Sequence, residues 1–339
     1  MKDTILVTGG AGFIGSNFIR FALNRDIFEI INLDALNYAG NLENLREIED
    51  SVDYHFVRGK IQNAELVDFL IKKYRVKGII NFAAETHVDR SILDASPFVD
   101  TNIGGTLTLL QAALNNKIER YLQVSTDEVY GSLGSEGKFT EESPITPNSP
   151  YSASKAAADH FVLAYHHTFK LPVVVTRCSN NYGKYQFPEK LIPLMILNAI
   201  EDKKLPVYGD GLNVRDWIHV EDHCSGILAA FEKGGSGEVY NLGGNCEKTN
   251  IVIVRSILKL LDKPDSLIQY VTDRPGHDRR YAIDSAKIES RLGWKPEKNF
   301  DSALAETVEW YRDNPDWSAR VRSGAYKEYY LKQYGKIDE

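Results

Sequence analysis

The stretch Gly9-Gly10-Ala11-Gly12-Phe13-Ile14-Gly15 decides the fold of this chain. It follows the apolar run Thr4-Ile5-Leu6-Val7, which predicts a buried strand, and it opens a helical pattern over residues 13–24. Glycines have no Cβ, so backbone N–H groups and the N-terminus of the helix can closely approach a pyrophosphate. The sequence therefore predicts a dinucleotide-binding loop. The alternative is an ordinary tight turn, which also favours glycine.

A carboxylate stands where such a loop needs one. Residues 29–33 predict a second strand, and Asp34 follows it, about twenty residues after the glycine loop. In this position a carboxylate accepts hydrogen bonds from the adenosine ribose and repels a 2′-phosphate. The sequence therefore predicts NAD as the cofactor in preference to NADP. A surface aspartate that merely follows a strand is the alternative.

Strand-like apolar runs alternate with helical patterns through the first half of the chain. Further strands are predicted at 52–58, 78–82 and 120–125, and helices at 64–74, 98–115 and from 151 onward. This alternation predicts an α/β protein with a Rossmann-type, doubly wound parallel sheet. Beyond residue 177 the pattern is irregular and rich in proline, which predicts a smaller mixed α/β C-terminal lobe. We predict a main domain at 1–177, to which some later strands and helices return, and the lobe mainly at 178–339, where the tail beyond Trp317 is predicted to form a docked helix.

Composition narrows the class of protein. The chain has 339 residues and a formal net charge of −7, without the basic surplus typical of proteins that bind nucleic-acid duplexes. Its three cysteines, Cys178, Cys224 and Cys246, form no CxxC pair, so neither a zinc site nor a disulfide framework is expected. No apolar stretch approaches the length of a membrane span. We therefore expect a cytoplasmic protein with no metal and no membrane or nucleic-acid partner.

A tyrosine and a lysine four residues apart, Tyr151 and Lys155, lie on a predicted helix. This spacing places both side chains on one face. The ammonium, together with a nicotinamide cation, would favour the phenolate form of tyrosine. Tyr151 could then act as a base toward a substrate hydroxyl, although the pair alone also occurs by chance in any helix.

Two adjacent carboxylates follow a predicted strand. The segment Ser125-Thr126-Asp127-Glu128 lies at the carboxyl end of that strand, where open α/β sheets place their active sites. Such a pair can divide the roles of general acid and general base. A solvated acidic loop is the alternative, and the neighbouring motifs weigh against it.

Together these motifs resemble the extended short-chain dehydrogenases/reductases, and among them the dTDP-glucose 4,6-dehydratase family. Matching segments occur in order along nearly the whole chain, and Thr-Asp-Glu at 126–128 is the most specific of them. The segments are 9–15, 34 with 38–41, 83–91, 125–131, 151–155, 177–183, 213–217 and 274–281.

The resemblance implies a lyase that removes water from a nucleotide-activated hexose in three stages. Tyr151 takes the C4 hydroxyl proton while NAD takes the C4 hydride, and Thr126 positions that hydroxyl. Glu128 then removes the C5 proton, and protonated Asp127 donates to the departing C6 hydroxyl, so a raised pKa is expected for Asp127. The hydride then returns to C6 and a proton returns to C5. The product is a 4-keto-6-deoxy sugar nucleotide, suited to the biosynthesis of rhamnose and other deoxysugars.

The same resemblance assigns further contacts by matched position, and for each of the cations a solvated surface charge is the alternative. Residues implied to contact NAD are Gly9, Gly12, Phe13, Ile14, Gly15, Asp34, Asn37, Ile61, Ala83, Ala84, Thr101, Tyr151, Lys155 and Asn181. Residues implied to contact the nucleotide sugar are Thr86, Thr126, Asn180, Lys190, Leu191, Pro206, Tyr208, Arg215, Asn250, Arg274 and His277.

Three positions depart from the family pattern. The family usually has Gly-Asp-Ile after its third strand, and that aspartate accepts a bond from the adenine amine. This chain has Gly59-Lys60-Ile61, and lysine has no acceptor, so weaker NAD binding is expected. Asn37 stands where threonine is common, and Lys184 replaces a usual proline. Neither of these touches the proposed chemistry.

The resemblance also implies a homodimer through a four-helix interface built from the 98–115 and 151–170 helices. Val99, Ile103, Phe161 and Val162 could form that seam, but packing against the sheet explains them equally well.

Rival functions remain open at this point. A nucleotide-sugar 4-epimerase or decarboxylase begins with the same C4 oxidation, and the dehydratase could act on UDP-glucose in place of dTDP-glucose. A non-catalytic regulator that senses NAD would be expected to have lost the Tyr-x-x-x-Lys motif or the carboxylate pair, and both are intact here.

Overall fold

The computed structural model describes residues 2–273 and 277–322. Its strands are β1 (Asp3–Thr8), β2 (Phe28–Asp34), β3 (Tyr54–Arg58), β4 (Gly78–Asn81), β5 (Arg120–Thr126), β6 (Val173–Cys178), β7 (Asn180–Tyr182), β8 (Leu205–Tyr208), β9 (Val214–His219), β10 (Glu238–Leu242), β11 (Glu247–Thr249) and β12 (Ile268–Val271).

The α-helices are α1 (Phe13–Leu23), α2 (Ala64–Tyr74), α3 (Val88–Leu93), α4 (Ser96–Phe98), α5 (Thr106–Asn115), α6 (Pro150–Phe169), α7 (Leu191–Ile200), α8 (Val220–Lys233), α9 (Asn250–Leu260), α10 (Ala286–Leu292), α11 (Phe300–Asp313) and α12 (Pro315–Val321). The segment Val99–Gly105 winds as a π-helix and joins α4 to α5. Within the described ranges, no helix combines the length and apolarity needed to cross a bilayer.

The main sheet has seven strands in the order β10-β6-β5-β4-β1-β2-β3, and all of its pairs are parallel. The order runs outward from β1 in both directions, which is the doubly wound arrangement. This confirms the predicted fold class. Crossover helices cover both faces, so the strands read as continuous apolar runs.

Alternate residues of β1 enter two different cores. Ile5 and Val7 pack with α1 and α8 on one face, whereas Leu6 packs with α2, α5 and α6 on the other. The period of two along a strand produces this division. The sheet is thus clamped between two helical layers, and the carboxyl ends of its strands are held in fixed positions.

The second lobe has its own core. A three-stranded sheet, β11-β9-β7, and a two-stranded sheet, β12-β8, accompany α7, α9, α11 and α12. Buried apolar side chains such as Met195, Ile257, Leu304 and Trp317 fill this core. Meanwhile β10 pairs with β6, and α8 packs on α1, so part of the chain after 177 returns to the main sheet. The boundary at 177/178 itself stays a prediction.

Several element ends differ from the sequence-based expectation. Strand β3 begins at Tyr54 and not at Val52, a residue that is 87% exposed in the preceding turn. The helix predicted at 98–115 begins earlier, at Ser96, and carries the π-helical segment. Helix α6 begins at Pro150 behind a capping box formed by Ser149 and Ser152. The predicted tail helix is described only as far as α12, and residues 323–339 lie outside the described part.

Candidate active site

A cleft of about 820 Å³ lies at the carboxyl ends of β1, β2, β4 and β5, beside the second lobe. It brings together most of the residues that the sequence analysis selected. Those lining it are Gly9, Gly12, Phe13, Ile14, Gly15, Asp34, Asn37, Ile61, Ala83, Ala84, Thr86, Thr101, Thr126, Asp127, Glu128, Tyr151, Lys155, Asn180, Asn181 and Lys190.

The glycine loop leaves no room for side chains where the chain turns into α1. Gly9 has a φ of +70°, and a Cβ there would lie 2.6 Å from the Ala83 backbone nitrogen. A Cβ on Gly15 would lie 2.4 Å from the Gly9 carbonyl oxygen. Gly12 is the N-cap of α1 and makes no side-chain cap, so the helix N-terminus faces the cleft uncovered. This cradle fits a pyrophosphate.

Asp34 is buried at the end of β2 and fixed by backbone groups. Its Oδ2 accepts from the Ala11 N–H at 2.9 Å, and its Oδ1 accepts from the Leu36 N–H at 2.8 Å. Burial raises the pKa of Asp34, and these two backbone bonds oppose the rise. Each oxygen keeps a second lone pair for a ribose hydroxyl. The side chain is therefore suited to hold an adenosine ribose.

The acid–base segment begins where β5 ends. Thr126 is the N-cap of a short 3₁₀ helix, Asp127–Tyr130, and its hydroxyl accepts from the Glu128 N–H at 3.3 Å. This turn directs both carboxylates into the cleft, which excludes the solvated acidic loop for Asp127. Asp127 is buried, whereas Glu128 is half-buried.

Asp127 has the electrostatics of a proton donor. Its Oδ2 is buried with no hydrogen-bond partner among the described residues. Burial raises the pKa of Asp127 well above its ordinary value, and the nearby Glu128 and Asp216 raise it further. Arg215 and Thr126 act in the opposite direction. The raised pKa is what a carboxylic acid needs if it is to donate a proton.

Tyr151 and Lys155 are both buried on the first turns of α6. Lys155 Nζ donates to the Val124 carbonyl oxygen at 2.7 Å, and burial lowers its pKa. Burial also raises the pKa of Tyr151 well above its ordinary value, Glu128 adds to the rise, and a hydrogen bond with Thr126 lowers it. In the protein alone the neutral phenol is therefore favoured. The phenolate that the sequence analysis expected depends on the charge of a bound nicotinamide.

Sequence reasoning missed the polar side chains that hold this site in place. Asn102, in the π-helical segment, bonds both backbone groups of Glu85 at 2.9 and 3.0 Å and donates to the Ser154 hydroxyl at 2.8 Å. Asn37 donates to Glu85 at 2.8 Å. The local sequence gives little signal, because Asn102 is the last of three consecutive polar residues, 100–102, in the segment predicted to be helical.

Six of the expected substrate residues lie outside the lining of the cleft, in the second lobe. They are Leu191, Pro206, Tyr208, Arg215, Asn250 and His277. Arg215 lies on β9 and donates to the Asp278 carbonyl oxygen at 2.9 Å, and the Tyr208 and His277 rings are 5.9 Å apart. Their contact with a nucleotide stays a prediction. Arg274 lies outside the described residues.

Lys60 occupies the place where an adenine acceptor was expected. Lys60 is exposed and lines the cleft beside Ile61. Ile61 packs closely on the π-helical segment, where a Cβ on Gly105 would lie 2.3 Å from Ile61 Cδ1. Next to it, Gln62 donates to the Thr101 hydroxyl at 3.2 Å. The departure from the family pattern therefore falls at the cofactor end of the site.

The sheet, the glycine cradle and the Tyr-x-x-x-Lys helix define an extended short-chain dehydrogenase/reductase. Residues 6–307 match the family model described as GDP-mannose 4,6 dehydratase. The chain belongs to this family.

Within this family, the chain is similar to dTDP-glucose 4,6-dehydratases. A dTDP-glucose 4,6-dehydratase from Xanthomonas campestris pv. campestris is 53% identical over 96% of this chain and 97% of its own length. The crystal structure of the Bacillus anthracis dTDP-glucose 4,6-dehydratase with NAD has a TM-score of 0.89 and 56% identity, and covers 94% of this chain and 99% of that one. The Streptomyces venezuelae enzyme with NAD and dTDP bound has a TM-score of 0.91 and 49% identity, with the same coverage.

Proposed function

We propose that the protein is a hydro-lyase that converts dTDP-glucose to dTDP-4-keto-6-deoxyglucose with the help of NAD. One observation carries this proposal: Asp127 and Glu128 lie in the same cleft as Tyr151 and the glycine cradle. Oxidation alone needs the tyrosine and the cofactor. The carboxylate pair is the addition that elimination of water requires.

The residues present fit NAD. The uncapped N-terminus of α1 and the glycines around it would hold the pyrophosphate, and Asp34 would hold the adenosine ribose. When bound, NAD supplies a hydride acceptor for C4 and a hydride donor for C6. The Asn102–Glu85 and Asn37–Glu85 bonds would keep the wall of the cofactor pocket in place.

Tyr151 moves the first proton. Its phenolic oxygen would accept the proton of the C4 hydroxyl, and Thr126, already bonded to Tyr151, would orient that hydroxyl. Because burial opposes the phenolate, the positive charge of a bound nicotinamide would make Tyr151 a better base. Lys155, fixed on the Val124 carbonyl oxygen, contributes an ammonium at a constant place.

The two carboxyl groups then divide the elimination. A 4-ketone acidifies the C5 hydrogen, and the half-buried Glu128 would accept that proton; a proton returns to C5 when C6 receives the hydride. The buried Asp127, whose surroundings raise its pKa and so favour the protonated form, would donate a proton to the C6 hydroxyl as it leaves as water. Asp127 and Glu128 are neighbours in the sequence, but they differ in burial. This difference suits Asp127 to act as the acid and Glu128 to act as the base.

Rival readings of the site differ in their products. A 4-epimerase inverts C4 without loss of mass, and a decarboxylase releases carbon dioxide. Neither of these reactions needs an acid–base pair of carboxylates next to C6 of the sugar. A regulator that only binds NAD would not need these catalytic side chains. All of them are present in the cleft, which argues against that function: Tyr151, Lys155, Asp127 and Glu128.

The direct test is to incubate the purified protein with dTDP-glucose and, separately, UDP-glucose, and to follow the products by mass spectrometry. Loss of one water with formation of a keto sugar is expected, and the faster substrate identifies the preferred nucleotide. A Glu128→Gln variant should form little keto-deoxy product yet still exchange hydride at C4. Normal turnover by that variant would remove Glu128 from its proposed role.

We further propose a homodimer and a cytoplasmic location. Val99 and Phe161, on the π-helical segment and α6, are 51% and 39% exposed, which supports a helical interface between two copies. Val162 is fully buried in the core against the sheet, so packing within the chain explains that residue. The three thiols are unpaired and two of them are buried, which suits a reducing compartment.

A further inference from the structure

Three side chains with no assigned role meet in the wall of the cleft. The Tyr38 hydroxyl donates to Glu189 Oε1 at 3.1 Å, and the Arg90 guanidinium lies over the Tyr38 ring, 3.7 Å from its centroid. Arg90 also approaches Glu189, with 3.7 Å between its terminal nitrogen and Oε2. We call Tyr38, Arg90 and Glu189 the clamp. All three line the cleft, and the sequence analysis gave none of them a role.

The clamp joins three segments that are far apart in the chain. Tyr38 belongs to the loop that leaves β2 just after Asp34, Arg90 belongs to α3, and Glu189 precedes α7 in the second lobe. The Phe187 ring packs edge-on against Tyr38 with 5.5 Å between centroids. The loop that follows Asp34 is therefore fastened to the second lobe within the lining of the cleft.

Burial gives the clamp its strength. The Glu189 side chain is only 2% exposed, and its Oε2 lies 3.9 Å from His87 Nε2 as well as near Arg90. Burial raises the pKa of Glu189, while Lys190 and Arg90 lower it. A carboxyl group withdrawn from water relies on its protein partners, so the contacts that Tyr38 and Arg90 make with Glu189 matter while the site is closed. We therefore expect these contacts to contribute more than an exposed ion pair does.

We propose that the clamp controls release of the cofactor. NAD held between the glycine cradle and Asp34 leaves only when the loop carrying Tyr38 separates from the second lobe, and the clamp opposes that separation. This inference rests on the proposed function, because an enzyme that returns its hydride within one turnover gains from keeping its cofactor. Tyr38, Arg90 and Glu189 are positioning residues in this scheme and take no part in the chemistry.

The test measures cofactor release with no substrate present. Wild type, Tyr38→Phe and Glu189→Gln are loaded with radiolabelled NAD, and loss of label is followed after excess unlabelled NAD is added. Tyr38→Phe keeps the ring for Arg90 and Phe187 and removes only the hydroxyl. Each variant should release NAD roughly ten-fold faster, since each weakens a hydrogen bond to a charged group. The double variant should be little faster than the faster single variant, because both changes weaken the same contact.

Glu201→Gln is the matched control. Glu201 also lies in the second lobe and pairs with Lys203 at 3.0 Å, but it is not among the residues that line the cleft. It should release NAD at the wild-type rate. Wild-type release of NAD from both clamp variants would overturn the proposal. Release needs no turnover, so a failure of the proposed dehydration would show separately, as absence of keto sugar from the wild type.

Discussion

At the scale of single residues, the buried carboxyl of Asp127 links function to a stability cost. Its folded-state pKa lies well above the ordinary value, so the folded protein binds this proton more tightly than the unfolded chain does. The contribution of Asp127 to stability is therefore present at low pH. It is lost as the pH rises from the ordinary carboxyl range through the raised pKa.

Asp127→Asn should separate the two effects. The amide cannot ionise, so the variant should lose less stability than the wild type between weakly acidic and neutral pH, measured as Tm against pH. The amide cannot donate an acidic proton either, and dehydration should slow on the order of 10²-fold or more. Retention of NAD binding serves as the control for folding. A variant that dehydrates at the wild-type rate would show that Asp127 is not the acid.

The wild-type pH profile follows from the same group. Product formation should fall as the pH rises through the raised pKa of Asp127, because a deprotonated carboxylate cannot donate a proton to the leaving C6 hydroxyl. The measurement is the initial rate of keto-sugar formation across pH at saturating NAD. In Asp127→Asn this alkaline limb should disappear from the residual rate. An identical limb in the variant would assign it to another group.

Lys60 offers a second residue-scale test. Lys60→Asp restores an acceptor at the cofactor end of the cleft, and NAD should bind on the order of ten-fold more tightly. Calorimetric titration of cofactor-free protein measures this change. Lys60→Ala is the control that separates loss of a positive charge from gain of an acceptor. Equal affinity in Lys60→Asp and Lys60→Ala would mean that no adenine contact forms there.

At the scale of elements, the glycine loop shows why part of the site could be predicted. The site residues there are close in sequence and depend on local backbone geometry: Gly9 and Gly15 form the turn, and Asp34 accepts from the Ala11 N–H. Their spacing in the sequence is therefore enough to predict them. Asn102 could not be predicted in this way. Its bonds to Glu85 and Ser154 join distant segments, and only the packing of the π-helical segment against α6 creates them.

Gly15→Ala tests the loop as an element. The added Cβ would lie 2.4 Å from the Gly9 carbonyl oxygen, so the loop must shift away from the helix N-terminus. We expect NAD affinity to fall roughly 10- to 100-fold, as for loss of one or two hydrogen bonds to a charged group. Gly134→Ala is the control, because no atom of the described residues lies within 4 Å of a Cβ there. Unchanged affinity in Gly15→Ala would contradict the cradle.

At the scale of the whole molecule, sequence predicted the doubly wound sheet but not how the second lobe meets it. Strand order follows from local alternation and right-handed crossovers. The place of Arg215 on β9, or of the loop near His277, depends on contacts between distant parts of the chain. The clamp of Tyr38, Arg90 and Glu189 is of the same non-local kind.

Assembly is the prediction at this scale. Phe161→Asp places a charge on the exposed apolar face of α6 and should convert the dimer to a monomer, measured by light scattering after gel filtration. Val252→Asp, on an exposed position of α9, is the matched control and should leave the dimer intact. A monomeric wild type, or a dimeric Phe161→Asp variant, would refute the proposed interface.

The fate of the C4 hydride tests the central claim most directly. The wild-type protein is incubated with dTDP-glucose carrying deuterium at C4, and the product is examined by NMR and mass spectrometry. The proposed mechanism predicts a product that has lost one water and carries the deuterium on C6. A dehydrated product without deuterium at C6, or a sugar of unchanged mass inverted at C4, would contradict it.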